Sequence, residues 1–407
     1  MQGRESMKVD ERFLQYLQFD TTSDEESDTV PSSPEQRKLA AFLKEEMEAL
    51  GISGVTLSEY GYVYGKIPAT PGCEDLPCIG LIAHMDTSSG APGAHIRPRY
   101  LEYQGGDILL NEQVRIEEKE FPFLKDLRGQ TLIVTDGTTL LGADDKAGIA
   151  EILTAAEYLL EHPEISHGPV ALAFTPDEEI GRGTDHFDLE GFGAAYGYTV
   201  DGGLLGQMEY ENFNAAGGKV RVHGKQIHPG SAKGRMVNAV TIAGEFMGLF
   251  PEAETPEHTE GYEGYYHFAG IRGEVSETVI SFILRDHDRE KFEARKAFME
   301  QAAAYMNQKY GAGTLELEMK DSYYNMKELL LPHMEIVDRA KAAMKECGVT
   351  PVVSPIRGGT DGAMLTYKGL PCPNLSTGGA NFHGIRELIS VQAMEKMVEV
   401  LVRLVRA

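Results

Sequence analysis

Short apolar runs that stop on an acid, a histidine or a glycine recur along this chain. CIGLIAHMDT, TLIVTDG, PVALAFTPDEE and GYTVDGG are each about one strand long. Between two of them lies KAGIAEILTAAEYLLEH, with apolar residues at the helical positions Ile149, Ile152, Leu153, Ala156 and Leu160. Strands alternating with helices point to an α/β fold with a mostly parallel sheet covered by helices. Such sheets place their chemistry beyond the carboxyl ends of the strands. His84, Asp144, Glu178, Glu179, Asp201 and His383 each fall just past an apolar run.

At 407 residues the chain exceeds one ordinary core, so two domains are expected. A helix begins after the polar stretch DTTSDEESDTVPSS, with Ser33 as N-cap, Pro34 in the first turn and Gly51 as the stop. After Phe213 the rhythm changes to a β-α-β-β-α-β-like order, ending with the strand TLELEMKDSYY. We expect a catalytic domain made of residues 1–213 and 325–407, interrupted by a smaller α+β (ferredoxin-like) domain at 214–324. An insertion in a loop leaves its two ends close together, so His383 rejoins the residues that precede the insertion.

Carboxylates and imidazoles gathered at one sheet edge make a metal site, with zinc the usual occupant. A carboxylate has two oxygens and bridges two cations. With Asp144 as bridge, one metal takes His84 and Asp201, and the other takes Glu179 and His383. Two such metals lower the pKa of a shared water and polarise a carbonyl. Glu178 then remains as the proton carrier. Asp86, two residues after His84 and on the same strand face, is placed to orient the imidazole. Each signal is weak alone: a histidine at a strand end is usually structural, and Asp201-Gly202-Gly203 is by itself a turn. The joint set carries the reading.

A net charge of −25 disfavours nucleic-acid backbones and anionic membranes as partners. Cys73, Cys78, Cys347 and Cys372 form no CxxC pair, and we read them as free thiols in a reducing cytoplasmic compartment. MQGRESMKVDERF lacks the apolar core of a signal peptide. No apolar run approaches the roughly 20 residues of a membrane span.

HMDTS, GADDKAG, PDEEIGRG, VDGG and NFHG together resemble the motifs of the M20 metallopeptidases. So do YTVDGGLLGQMEYENFNAA, IHPGSAKGRMVNA, LRDHD and RGGTDGAMLTYKGLPCPNLSTGG. The resemblance spans nearly the whole chain and is nearest to members that remove the first residue of a tripeptide. It implies two zinc ions, with cobalt or manganese as substitutes, and makes Asp144 the bridge, Glu178 the base and Asp86 the orienter of His84. It also implies a cis Asp144–Asp145 peptide and an inserted domain that acts as a lid and carries a homodimer contact. His228 becomes the donor to the tetrahedral oxyanion. Arg285 and Arg357 become candidates for gripping a peptide carboxylate, and Asn381 a contact to peptide backbone. Ala380 and Arg386 depart from the bulkier or histidine-like residues expected beside His383. The alternative within the family is a dipeptidase, carboxypeptidase or N-acyl amino acid deacylase.

Overall fold

The structure, a computed structural model, describes residues 6–407. Residues 1–5, most of an amino-terminal extension to which the sequence assigns no role, lie outside it. The chain forms two compact units. One comprises the residues up to Tyr210, Leu329–Val353 and Thr360–Ala407; the other comprises Glu211–Glu328 and Ser354–Gly359. The short segment Ser354–Gly359 therefore belongs with the second unit, although it lies far outside residues 214–324.

The first unit is built on an eight-stranded sheet. Its centre is four parallel strands in the order Val170–Thr175, Ile79–His84, Tyr196–Val200 and Asn374–Leu375. Val63–Ile67 and Ser53–Leu57 extend one side antiparallel. Gln207–Glu209, antiparallel to Asn374–Leu375, and then Val352–Val353 extend the other. IGLIAH and VALAFT are buried at every position. This is why they read as unbroken apolar runs rather than alternating ones: parallel strands are covered on both faces.

The helix Ala143–Glu161 packs against Ile79–His84 and Tyr196–Val200. Gly148 permits this approach, because a Cβ there would sit 2.0 Å from the Val200 carbonyl oxygen. The helix Pro34–Leu50 starts after Ser33 and ends at Gly51 in the left-handed conformation, φ 84°, as its sequence predicts. The Ser33 side chain makes no capping bond.

TLIVTDG departs from expectation. Thr131–Val134 is not part of the parallel sheet; it joins Arg99–Glu102, Leu388–Ser390 and Gly379–Ala380 in a separate antiparallel sheet. Leu132 and Val134 are buried against Tyr103, Ile116 and Leu124 in a small core of their own. A run of three apolar residues suits either setting, and only the partner strands distinguish them.

The second unit follows the β-α-β-β-α-β order. Asn214–His223, Tyr265–Gly273, Glu277–Asp286 and Leu315–Tyr323 form a fully antiparallel sheet. The helices Ala239–Met247 and Arg289–Tyr310 pack on it through Ile242, Phe246, Phe292, Met299 and Met306. ETVISFILRD alternates strictly in its burial, the period expected of a sheet with one covered face. Where the chain enters and leaves this unit, three buried asparagines stitch the two segments together. Asn212 N–H donates to Asn325 Oδ1 at 3.1 Å, Met326 N–H to Asn212 Oδ1 at 2.7 Å and Asn325 N–H to Asn214 Oδ1 at 3.0 Å. Among the described residues no helix is long and apolar enough to cross a membrane.

Candidate metal centre

The carboxyl edge of the four parallel strands gathers the acidic and histidine residues of the first unit. His84 is the last residue of its strand and is 3 % exposed. Its Nε2 lies 2.9 Å from Asp144 Oδ1 and 3.7 Å from Asp201 Oδ1. Its Nδ1 faces Asp86, 3.1 Å from the carbonyl oxygen and 3.3 Å from Oδ1. Asp144 opens the helix Ala143–Glu161 with non-helical φ/ψ of −88° and 101°, and the Asp144–Asp145 peptide is cis. The other Asp144 oxygen, Oδ2, lies 3.1 Å from His383 Nε2. Glu179 Oε2 is 3.0 Å from the same nitrogen. Asp144 thus has one oxygen on each imidazole.

The backbone around these groups is held by further carboxylates. Asp86 is fully buried; its Oδ1 accepts Glu178 N–H at 2.9 Å and its Oδ2 accepts Glu179 N–H at 3.1 Å. One side chain therefore supports both His84 and the Glu178–Glu179 turn. Asp177 precedes that turn in the left-handed region, φ 58°, and accepts from Ser32 N–H, Ser32 Oγ and Gln36 Nε2. Asp361, at the start of the helix Asp361–Tyr367, accepts from Thr175 Oγ1 at 2.8 Å. His383 sits at φ 62°, with its carbonyl oxygen 2.7 Å from where a Cβ on Gly90 would be.

The titration of the cluster reports a deficit of positive charge. Burial raises Glu178 well above the carboxylate range, with Asp201, Asp361 and Glu179 adding to it. Burial pushes Glu179 up to about 7 against the bond from His383, and also raises Asp201. Asp144 goes the other way: burial resists, but bonds from His383 and His84 hold it well below the usual range. His383 is raised to about 11 by Asp144 and Glu179. His84 is raised too, because Asp144, Asp201 and Asp86 outweigh its burial. Burial that raises carboxylates, beside carboxylates that raise imidazoles, marks a crowded negative cluster that suits a cation.

Two donor groups meet metal-ligand spacing: His84 with Asp144 and Glu179, and His84 with Asp145 and Asp201. Within each, the ligand atoms lie within 4.8 Å of one another. Asp145 Oδ2 accepts His84 N–H at 3.1 Å, while its Oδ1 is buried with no hydrogen-bond partner. Glu179 Oε1 is buried with no hydrogen-bond partner, an orphan that a cation would satisfy. The two groups share His84 and leave His383 out, so they regroup the expected ligands, and the donors gathered here fit divalent cations.

The remaining predicted residues have other surroundings. Asn381, at φ 60°, donates from Nδ2 to Arg386 O at 3.2 Å and closes its own loop. In the second unit, Arg357 donates to the carbonyls of Gly261, Glu263 and Thr259 and to Thr259 Oγ1. Its guanidinium also lies over the rings of Phe213 and Tyr265. Arg285 donates to Leu284 O at 3.0 Å and lies 5.1 Å from the centre of the Tyr323 ring. His228 precedes the turn Pro229–Ser231, and its Nδ1 accepts Gly230 N–H at 3.2 Å. An accepting Nδ1 places the proton of the neutral ring on Nε2. Sequence reasoning missed Asp177 and Asp361. Asp361 stands inside the quoted GGTDGA run, the one signal that was available.

A parallel sheet edged by this cluster, with an α+β unit inserted in the chain, is the architecture of a dinuclear-type peptidase. The family model for the M20 peptidase dimerisation domain matches residues 210–314. A curated relative from Geobacillus, peptidase T, is 54 % identical over 402 residues, covering 98 % of each chain. The crystal structure of aminopeptidase PepT from Bacillus cereus is 25 % identical and superimposes with a TM-score of 0.76, covering 98 % of each chain. A tripeptidase from Staphylococcus aureus, 21 % identical, shares the fold with a TM-score of 0.78 over 98 % of each chain. The chain belongs to the peptidase T family of M20 peptidases.

Proposed function

We propose that the chain removes the amino-terminal residue from tripeptides, with two divalent cations held at the sheet edge. It is a metal-dependent aminopeptidase, a hydrolase. The observation that carries this reading is Asp144, whose two oxygens lie 2.9 Å from His84 and 3.1 Å from His383. His84 and Asp201 would be the remaining ligands of one ion, and Glu179 and His383 those of the other. Zinc suits this mixture of nitrogen and oxygen donors. Bound there, two such ions would lower the pKa of a water and polarise the scissile carbonyl.

Glu178 is assigned as the group that takes the water proton and returns it to the departing amine. Its burial beside Asp201 and Asp361 gives it a raised proton affinity, which matches that double task. Asp86 holds Glu178 by its backbone and His84 by its ring, so the base and a ligand share one support. His228, with its proton on Nε2, is assigned as donor to the oxyanion. Arg285 is assigned to the carboxylate of the peptide. Arg357 and Asn381 are assigned to holding their own loops. The dimerisation-domain match supports a homodimer, and four free thiols support a cytoplasmic setting.

The test compares a free tripeptide, its N-acetylated form and a dipeptide. Each is run beside Glu178→Ala and a chelated control. Cleavage of the free tripeptide alone, abolished in both controls, is expected. Preference for the acetylated peptide or the dipeptide would instead assign a deacylase, carboxypeptidase or dipeptidase activity.

A further inference from the structure

Four residues beyond His383 the chain buries a carboxylate whose partners are all backbone. Glu387 is 1 % exposed. Its Oε2 accepts Leu141 N–H at 2.6 Å and Gly142 N–H at 2.8 Å, and its Oε1 accepts Asp144 N–H at 3.1 Å. The three donors lie in the turn that delivers Asp144. Asp144 and Asp145 have non-helical φ/ψ, so the three donors belong to a turn ahead of the regular helix. Buried N–H groups need acceptors, and Glu387 supplies them from 243 positions away from Asp144.

The other end of Glu387 is tied to the His383 loop. Its own N–H donates to Gly384 O at 3.2 Å, and Asn381 Nδ2 bonds Arg386 O across the same loop. The carboxylate therefore links the loop that carries His383 to the turn that carries Asp144. The other ligands stand elsewhere: His84 ends one strand, Asp201 follows another, and Glu179 is held by Asp86.

We propose that Glu387 is a positioning residue that fixes Asp144 relative to His383, and so governs binding of the cation these two share with Glu179. The proposal rests on the dinuclear reading above. Its consequence is unequal: without Glu387 both ions would lose the alignment of the Asp144 bridge, and the one on Glu179 and His383 would lose the alignment of its imidazole as well. An amide is a poor replacement. Glutamine keeps one accepting oxygen, but its NH2 faces a backbone N–H where Glu387 presents an oxygen.

The experiment measures zinc binding by competition with a chromogenic chelator, in wild type, Glu387→Gln and Glu387→Ala. In wild type two ions are expected. In the variants both ions are expected to bind more weakly, and the more weakly held of the two by about 10- to 100-fold. Tripeptide turnover should recover as zinc is raised, while circular dichroism shows the metal-free variants already folded, which separates lost metal binding from an unstable fold. Both ions bound at wild-type affinity in a folded variant would overturn the proposal. Amide hydrogen exchange across residues 138–146 of metal-free wild type gives a test independent of variant folding. Slow exchange at Leu141, Gly142 and Asp144 is expected, and exchange as fast as an open loop would overturn the clamp. A wild type that binds fewer than two ions refutes the dinuclear reading instead, and the exchange result then decides the clamp by itself.

Discussion

Replacing Asp86 by asparagine changes one atom in a fully buried side chain. The carboxylate has three duties: Oδ1 accepts Glu178 N–H at 2.9 Å and faces His84 Nδ1 at 3.3 Å, and Oδ2 accepts Glu179 N–H at 3.1 Å. The asparagine oxygen can take over the Oδ1 position. Its NH2 must then meet Glu179 N–H, donor against donor, with no water to intervene. A hydrogen bond to a charged group contributes about 1.5–3 kcal/mol, and leaving its buried partner unmade costs a similar amount. A loss of about 2–3 kcal/mol lowers the apparent melting temperature of a unit this size by about 3–5 °C. The charge that favours ring orientation at His84 is lost as well, so metal affinity and kcat/KM should each fall about 10- to 100-fold. Melting curves, zinc titration and tripeptide turnover read the three effects. Asp86→Asn with wild-type melting and wild-type kcat/KM would refute the claim that this carboxylate holds both the base turn and the ligand.

Glu178→Gln keeps the shape of the side chain but removes the proton acceptor; turnover should fall about 10²- to 10⁴-fold with zinc content unchanged, as metal analysis beside kinetics will show. Glu151 is fully buried in the helix Ala143–Glu161, neither oxygen has a hydrogen-bond partner, and burial raises its proton affinity well above the ordinary range. The folded state therefore binds this proton more tightly than the unfolded one, so its stabilisation is complete below about pH 4.5 and is lost as pH rises toward the folded value. Wild type should accordingly lose stability relative to Glu151→Gln between about pH 5 and pH 8, and a flat difference in denaturation midpoints over that range would count against it. Arg357→Lys should impair a tripeptide and its carboxyl-terminal amide alike, because the guanidinium holds backbone carbonyls; a rise in KM confined to the free acid would make it a carboxylate anchor instead. Zinc at about 100 times its Kd should stabilise the folded chain by about 2.7 kcal/mol, visible as a chelator-reversible rise in melting temperature.

The parallel sheet and its acidic edge were legible because buried strands advertise themselves as apolar runs, and His84 and Asp201 each stand directly at the end of one. The β-α-β-β-α-β order of the second unit was legible from changes of period. Tyr265–Gly273 was harder: YYHFAGIRG has exposed residues from Ala269 to Gly273 and a break in register between Phe268 and Gly270. Asp177, Asp361 and Glu387 gave no sequence signal of comparable strength. Their partners are a serine hydroxyl, a threonine hydroxyl and backbone N–H groups from distant turns, which leave no periodicity and no motif. Arg357, which the family resemblance makes a candidate for the peptide carboxylate, has its donors on the loop around Gly261, a set of partners no motif announces.

The asparagine lattice where the chain enters and leaves the second unit has an evolutionary reading. Asn212, Asn214 and Asn325 join the two ends of the insertion using only atoms that the insertion itself supplies. A segment that ties its own entry to its own exit closes its ends without outside help. Its flank is a different matter: Ser354–Gly359, far along the chain, joins the same unit, and Arg357 clasps the loop around Gly261, so the insertion was shaped together with a piece of the chain that follows it.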